Sequence, residues 1–129
     1  MTRERVAVTP RTAERLVEIG DTRSTVNRAY YAMFYAAQLY LKKLHFDETR
    51  NVKTHNGTAT KFYELAVRRD GFPRELAAKL TRMGNDRIDF DYDDVAPPDD
   101  GTANRAVETA REFCGAVLAA VGDRPEANR

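Results

Sequence analysis

Apolar residues along this chain recur at intervals of three and four, the spacing that gathers side chains on one face of an α-helix. The most regular stripe is Ala103, Ala106, Val107, Ala110, Phe113, Val117, Leu118 and Val121, and it predicts a helix from about Thr102 to Val121. A second stripe, Val26, Tyr30, Met33, Ala37, Tyr40 and Leu44, is widened by Ala29, Phe34 and Leu41. It predicts a long central helix from Ser24 to His45. Ala59, Phe62 and Ala66 place a further helix over Thr54 to Arg69, and Leu76, Leu80 and Met83 another from Pro73 to about Asp89. The first helix is expected from Pro10 to Ile19, with Thr9 as N-cap, Pro10 in the first turn and Gly20 as the stop. Between these elements, Phe46 to Lys53 reads as a polar loop. Asp91 to Gly101, with Pro97, Pro98 and five aspartates, reads as a surface loop. The expected fold class is all-α: an up-and-down bundle of four to five helices in a single domain over residues 1–129, with 1–8 and 122–129 flexible.

Composition narrows the setting. A chain of 129 residues can bury a hydrophobic core without a metal or disulfide to hold it. Its single cysteine, Cys114, allows no intrachain bridge. The N-terminal residues MTRERVAVTP are charged and lack the apolar run of a signal peptide, and no stretch of about 18 apolar residues could span a bilayer. A cytoplasmic protein without a membrane partner is expected.

The net charge of +1 argues against binding nucleic acid by bulk electrostatics, but the charges are unevenly spread. From Arg50 to Arg87 there are nine Lys or Arg against four acids, and aspartates then crowd positions 89 to 100. That distribution fits either a local basic patch or ordinary solvated helix faces.

Three sets of residues could carry chemistry. On the central helix, Arg28, Tyr31, Tyr35, Gln38 and Lys42 form an arc opposite the main apolar stripe. This arc suits a protein interface or a nucleotide cleft, and a face covered by the first helix would explain it equally. His55, in the first turn of its helix, is in register with Ala59, Phe62 and Ala66. Burial and the positive helix end both disfavour imidazolium, leaving a neutral ring that could accept a proton near pH 7 or serve as a capping or core histidine. Lys53, two residues earlier, could hold a phosphate at that helix start. Arg87 extends the row Leu76, Leu80, Met83 by four, so a guanidinium stands where the pattern asks for an apolar residue. It needs an anion, either a neighbouring aspartate or a phosphate.

No metal site is expected. Asp89, Asp91 and Asp93 alternate as in a calcium loop, but Asp94 stands where that loop needs glycine and Asp100 replaces its closing glutamate. His45, His55 and Cys114 lie on different elements without paired ligand spacing. No glycine-rich phosphate loop and no Gly-x-Ser-x-Gly motif occurs.

The strings STVNRAYYAMFYAA at Ser24 to Ala37, KTHNG at Lys53 to Gly57 and RIDFDYDD at Arg87 to Asp94 resemble, in order and spacing, HEPN domains of prokaryotic stand-alone proteins. The resemblance spans nearly the whole chain and implies a dimeric HEPN-like bundle that frames a polar cleft. It also implies a metal-independent ribonuclease of a toxin–antitoxin or defence system, often paired with a minimal nucleotidyltransferase antitoxin. In such nucleases four to six residues separate an arginine from a later histidine, yet the corresponding positions after Arg87 hold Tyr92, Asp93 and Asp94. Arg50 and His55 do show the spacing, though with 16 arginines in the chain the match carries little weight.

By resemblance, His55 would be the general base, Arg87 and Arg28 would stabilise developing charge, and Lys53, Tyr31, Tyr35, Asp91 and Tyr92 would border the substrate. No cofactor is implied. Tyr92 would also correspond in position to a tyrosine that an antitoxin can modify. The alternatives are a non-catalytic module that binds a nucleotide or partners a nucleotidyltransferase, and a purely structural dimer.

Overall fold

The computed structural model describes residues 2–90 and 96–122. The helices are α1 (Arg3–Glu18), α2 (Thr22–Leu44), α3 (Phe46–Thr49), α4 (His55–Phe62), α5 (Arg74–Phe90) and α6 (Asp100–Val121). Helix α4 runs on as a π-helical segment, Tyr63–Arg69. Among the described residues there is no strand, as the expected all-α bundle requires.

Helix α2 is the axis of the bundle. It packs against every other helix, which explains why its buried set extends well beyond one stripe: Val26, Ala29, Tyr30, Ala32, Met33, Phe34, Ala36, Ala37, Leu39, Tyr40 and Leu41. The alanines allow neighbouring helices to approach, while the larger side chains fill the space between them. Asp21 caps its start by accepting a hydrogen bond from the Ser24 amide at 3.1 Å, and Lys42 and Lys43 face the negative end of its dipole.

Helix α1 departs from expectation. It begins at Arg3, not Pro10, capped by the Thr2 hydroxyl, so residues 3–8 are helical where a flexible lead was expected. Val6 and Ala13, both fully buried, show the seven-residue spacing that carries the apolar face back through this segment. Pro10 lies in the helix interior, and its missing N–H withdraws one backbone hydrogen bond without ending the helix. Thr9 is therefore no N-cap; it is buried and returns its hydroxyl to the Arg5 carbonyl at 2.7 Å. Arg3 ties the end of α1 to the carbonyls of Leu118 and Gly122 at the C-terminus of α6, where a cation is favoured.

The remaining boundaries fall close to those predicted, with two exceptions. The segment after α2, expected as loop, contains the single turn α3. Helix α6 starts at Asp100, two residues early, because Asp99 caps it through the Thr102 amide at 2.7 Å.

A polar clamp closes one end of the core. The π-helical segment ends at Asp70, and Gly71 reverses the chain with φ +78°. The Asp70 carboxylate accepts hydrogen bonds from the Tyr40 hydroxyl and from His45 Nε2 at 2.7 Å, and Glu48 links Arg69 to the same corner at 3.0 Å. Burial alone would raise the Asp70 pKa. The hydrogen bonds from His45 and Tyr40 and the nearby charges of His45 and Arg69 outweigh it and hold the carboxyl below its ordinary value of 3.8.

A lowered folded pKa means that stability is present above 3.8 and is lost as pH falls through the folded value. Asp70→Asn is expected to lower the urea unfolding free energy at pH 7 by about 1 kcal/mol, the net worth of a partly exposed charged hydrogen bond. The gap from wild type should close as the pH drops below the carboxyl range.

Candidate functional site

The turn that leads into α4 determines where His55 stands. Thr54 is extended and caps the helix, its hydroxyl accepting from the Gly57 amide at 2.9 Å. A Cβ on Gly57 would come within 2.7 Å of that hydroxyl, so only glycine keeps the cap closed. His55 thus enters the first turn of α4 with its ring against α2.

The imidazole lies flat on Phe34, with ring centroids 4.3 Å apart and planes 7° apart. Tyr31 meets it edge-on at 5.7 Å. Its Nδ1 is 2.6 Å from the hydroxyl of Tyr30. Burial, followed by the positive charge of Arg87, lowers the His55 pKa below its ordinary 6.5, leaving the ring neutral at pH 7. Tyr30 is only 4% exposed. Burial raises its pKa more than the charge of Arg87 lowers it, so the phenol keeps its proton.

Helix α5 supplies the opposing wall. The Arg87 guanidinium carbon is 5.1 Å from the centroid of the Tyr30 ring and 5.5 Å from that of Tyr31. Arg28 approaches Tyr31 at the same 5.5 Å. The close approach of α5 depends on Gly84, where a Cβ would meet the Tyr30 ring at 3.0 Å. Asn56, Thr81 and Asn85 join His55, Tyr30 and Arg87 around a cavity of about 70 Å³. At ~30 Å³ per water that space takes about two waters, which suits a phosphoryl group but not a whole nucleoside.

Two proton arrangements are open to the Tyr30–His55 hydrogen bond. With Nδ1–H donating to the phenol oxygen, the Nε2 lone pair is available to take a proton. With the phenol donating to Nδ1, Nε2–H is presented as a donor. In Tyr30→Phe the ring should stay stacked on Phe34 but lose this control. The expected result, read from the ¹⁵N shifts of the His55 ring, is a shift in the balance of Nδ1–H and Nε2–H tautomers relative to wild type.

Residues 9–120 match the sequence model of the HEPN domain. The chain belongs to the HEPN family. No curated protein gives a significant match to it.

In this HEPN domain the expected site residues separate. His55, Arg87 and Tyr31 come together, and Arg28 is one ring away. Tyr35 turns toward α1 instead, with the Arg5 guanidinium 4.6 Å from its ring and an Arg5 nitrogen 3.3 Å from its hydroxyl. Tyr35 and Arg28 share a separate cleft with Thr9 and Thr12. The arc of Arg28, Tyr31, Tyr35, Gln38 and Lys42 is therefore half-buried, in part by α1 as the alternative reading held. Lys53 is exposed in the turn before α4 and does not line the His55 cavity. Asp91 and Tyr92, and with them most of the aspartate run considered for calcium, lie outside the described residues. Among the described residues no group of three or more His, Cys, Asp or Glu is placed to hold a metal ion.

Sequence reasoning assigned Tyr30 to the core stripe and missed its polar end. The available signal was a tyrosine, not a phenylalanine, at a position predicted to be buried, since a buried phenol needs a partner.

Proposed function

We propose that this HEPN protein is a metal-independent endoribonuclease of a toxin–antitoxin or defence system, active as a homodimer with its cleft at the interface. The observation that carries the reading is a neutral His55, fixed by Tyr30 and Phe34, beside the guanidinium of Arg87. This pairing supplies a base and a fixed positive charge to a phosphodiester.

In the proposed reaction, His55 Nε2 takes the proton of a ribose 2′-hydroxyl, whose oxygen attacks the adjacent phosphorus. The bond from phosphorus to the 5′-oxygen breaks, and that oxygen takes a proton from water. The products are a 2′,3′-cyclic phosphate and a 5′-hydroxyl, and the imidazolium then returns its proton to solvent. Arg87, with Arg28 nearby, balances charge on the phosphoryl oxygens, while Tyr31 offers a face for a base.

The reading predicts cleavage of RNA by the purified protein in EDTA, a dimer by light scattering, and growth inhibition on expression. Loss of both activities in folded His55→Ala and Arg87→Ala supports it; variants that cut as well as wild type refute these roles. A second reading is favoured by the cation–aromatic surface of Arg28, Tyr31 and Arg87. It is a non-catalytic nucleotide-binding module that partners a minimal nucleotidyltransferase. Nucleotide affinity and co-purification of a neighbouring nucleotidyltransferase, with no RNA cleavage, would favour it.

A further inference from the structure

The π-helical winding after α4 brings together side chains that an α-helix would separate. At ~100° per residue, residue 68 of an α-helix would stand about 140° round the axis from residue 63. A π-helix bonds across five residues, as the Asp70 amide does to the Leu65 carbonyl at 3.1 Å. It therefore turns less per residue and sets the fifth residue close above the first. Arg68 accordingly has its guanidinium carbon 5.8 Å from the centre of the Tyr63 ring. Arg74, the first residue of α5, reaches the same ring, also at 5.8 Å.

Two guanidiniums thus converge on one tyrosine, and among the described residues neither is paired with a carboxylate. Glu64 is paired with Lys61 at 3.4 Å, and Glu75 makes no ion pair with either arginine. Arg74 also stands in the first turn of its helix, where the dipole is already positive and a cation is disfavoured. Both arginines are exposed and Tyr63 is half-buried, so solvent reaches the ring and the charges. At 5.8 Å the guanidiniums are near the outer limit of a cation–aromatic contact, which leaves them free to turn toward a ligand. An aromatic ring between two uncompensated arginines suits a ligand with both phosphates and unstacked bases, which is single-stranded nucleic acid.

The cluster is in line with the His55 cavity. On α4, Asn56 and Ala59 of the cavity wall are followed on the same face by Tyr63, at spacings of three and four. On α5, Thr81 of the opposite wall shares a face with Arg74, seven residues before it. The groove between the two helices therefore leads from the cavity to Tyr63. Seven residues at ~1.5 Å make about 10 Å of helix. A stacked single strand covers that length in about three nucleotides at ~3.4 Å each.

We propose that Tyr63, Arg68 and Arg74 form a subsite for single-stranded RNA about three nucleotides from the phosphate on which His55 acts. A base stacks on the Tyr63 ring, and the two arginines hold the phosphates on either side of it. The subsite takes its register from the ribonuclease reading and rests on it to that extent.

The test is binding of a labelled 2′-O-methyl RNA hexanucleotide, which has no free 2′-hydroxyl and cannot be cleaved, followed by fluorescence anisotropy on the full chain. Tyr63→Leu should weaken binding by at least about fivefold, the loss of one stacked base. The double variant Arg68→Gln, Arg74→Gln should flatten the plot of log affinity against log salt by about 1.4, two phosphates at ~0.7 each. A hexanucleotide that does not bind to wild type overturns the proposal. So does an affinity in Tyr63→Leu within about twofold of wild type, or an unchanged salt slope in the arginine variant. If Tyr63→Leu does not fold, the salt slope decides. Wild type that binds in this Tyr63-dependent way but cuts no RNA refutes the ribonuclease reading and supports the subsite. Wild type that cuts RNA, with both variants binding as it does, refutes the subsite alone.

Discussion

His55→Ala is expected to lower the rate of RNA cleavage by about 10²- to 10⁴-fold, the range a positioned general base contributes. It should do so without unfolding the domain, because the ring packs at the first turn of α4 and not within the central core. The pH dependence follows from the same surroundings. A base acts in its deprotonated form, and burial with the charge of Arg87 pushes the His55 pKa below 6.5. Cleavage should therefore hold level as pH falls from 8 toward neutrality and decline only below the ordinary histidine range. In Arg87→Met, which removes the charge but keeps an apolar side chain, burial alone holds the pKa down, so the His55 ring titration followed by NMR should move to a higher pH than in wild type. A titration that does not move would separate Arg87 from His55 electrostatically.

The largest structural effect is expected at Phe113. This ring is fully buried on α6 and meets Phe62 at 5.3 Å and Phe72 at 5.6 Å. Phe62 in turn contacts Tyr40 at 5.3 Å. The cluster thus joins α2, α4 and α6 and backs the Asp70 clamp. Phe113→Ala should cost about 3–5 kcal/mol, combining lost burial with the cavity left behind. That is a large share of the ~5–15 kcal/mol that holds a domain folded. Urea unfolding followed by circular dichroism should show the midpoint fall steeply with little change in slope. A loss below about 1 kcal/mol would mean that the surrounding rings close over the gap.

The helices were legible where one face stays apolar for several turns. Helix α2 starts and stops within two residues of its predicted bounds, as its stripe and flanking polar residues set both ends. Helix α1 was misread because proline is favoured in a first turn but also tolerated inside a helix, and local pattern does not separate the cases. The burial of Val6, which does separate them, is a tertiary fact. The π-helical winding of Tyr63–Arg69 leaves no mark on the periodicity over so short a run.

At the site, register placed His55 and Arg87 on inward-facing rows, and the structure brings both to one cavity. Register did not show that they converge through Tyr30. That depends on how far a phenol reaches across α4 and on Gly84 letting α5 close in. The division between Tyr31 and Tyr35 was hidden for a related reason. One turn along α2, Tyr35 meets the Arg5 end of α1, an interaction between elements that no spacing within α2 encodes.

Product analysis on one defined RNA oligonucleotide tests the central claim most directly. Wild-type protein and His55→Ala are incubated with it in EDTA, and the new ends are identified by mass spectrometry. The account predicts a 2′,3′-cyclic phosphate and a 5′-hydroxyl from wild type and neither above background from His55→Ala. A 5′-phosphate end, or equal cleavage by the two proteins, would contradict it.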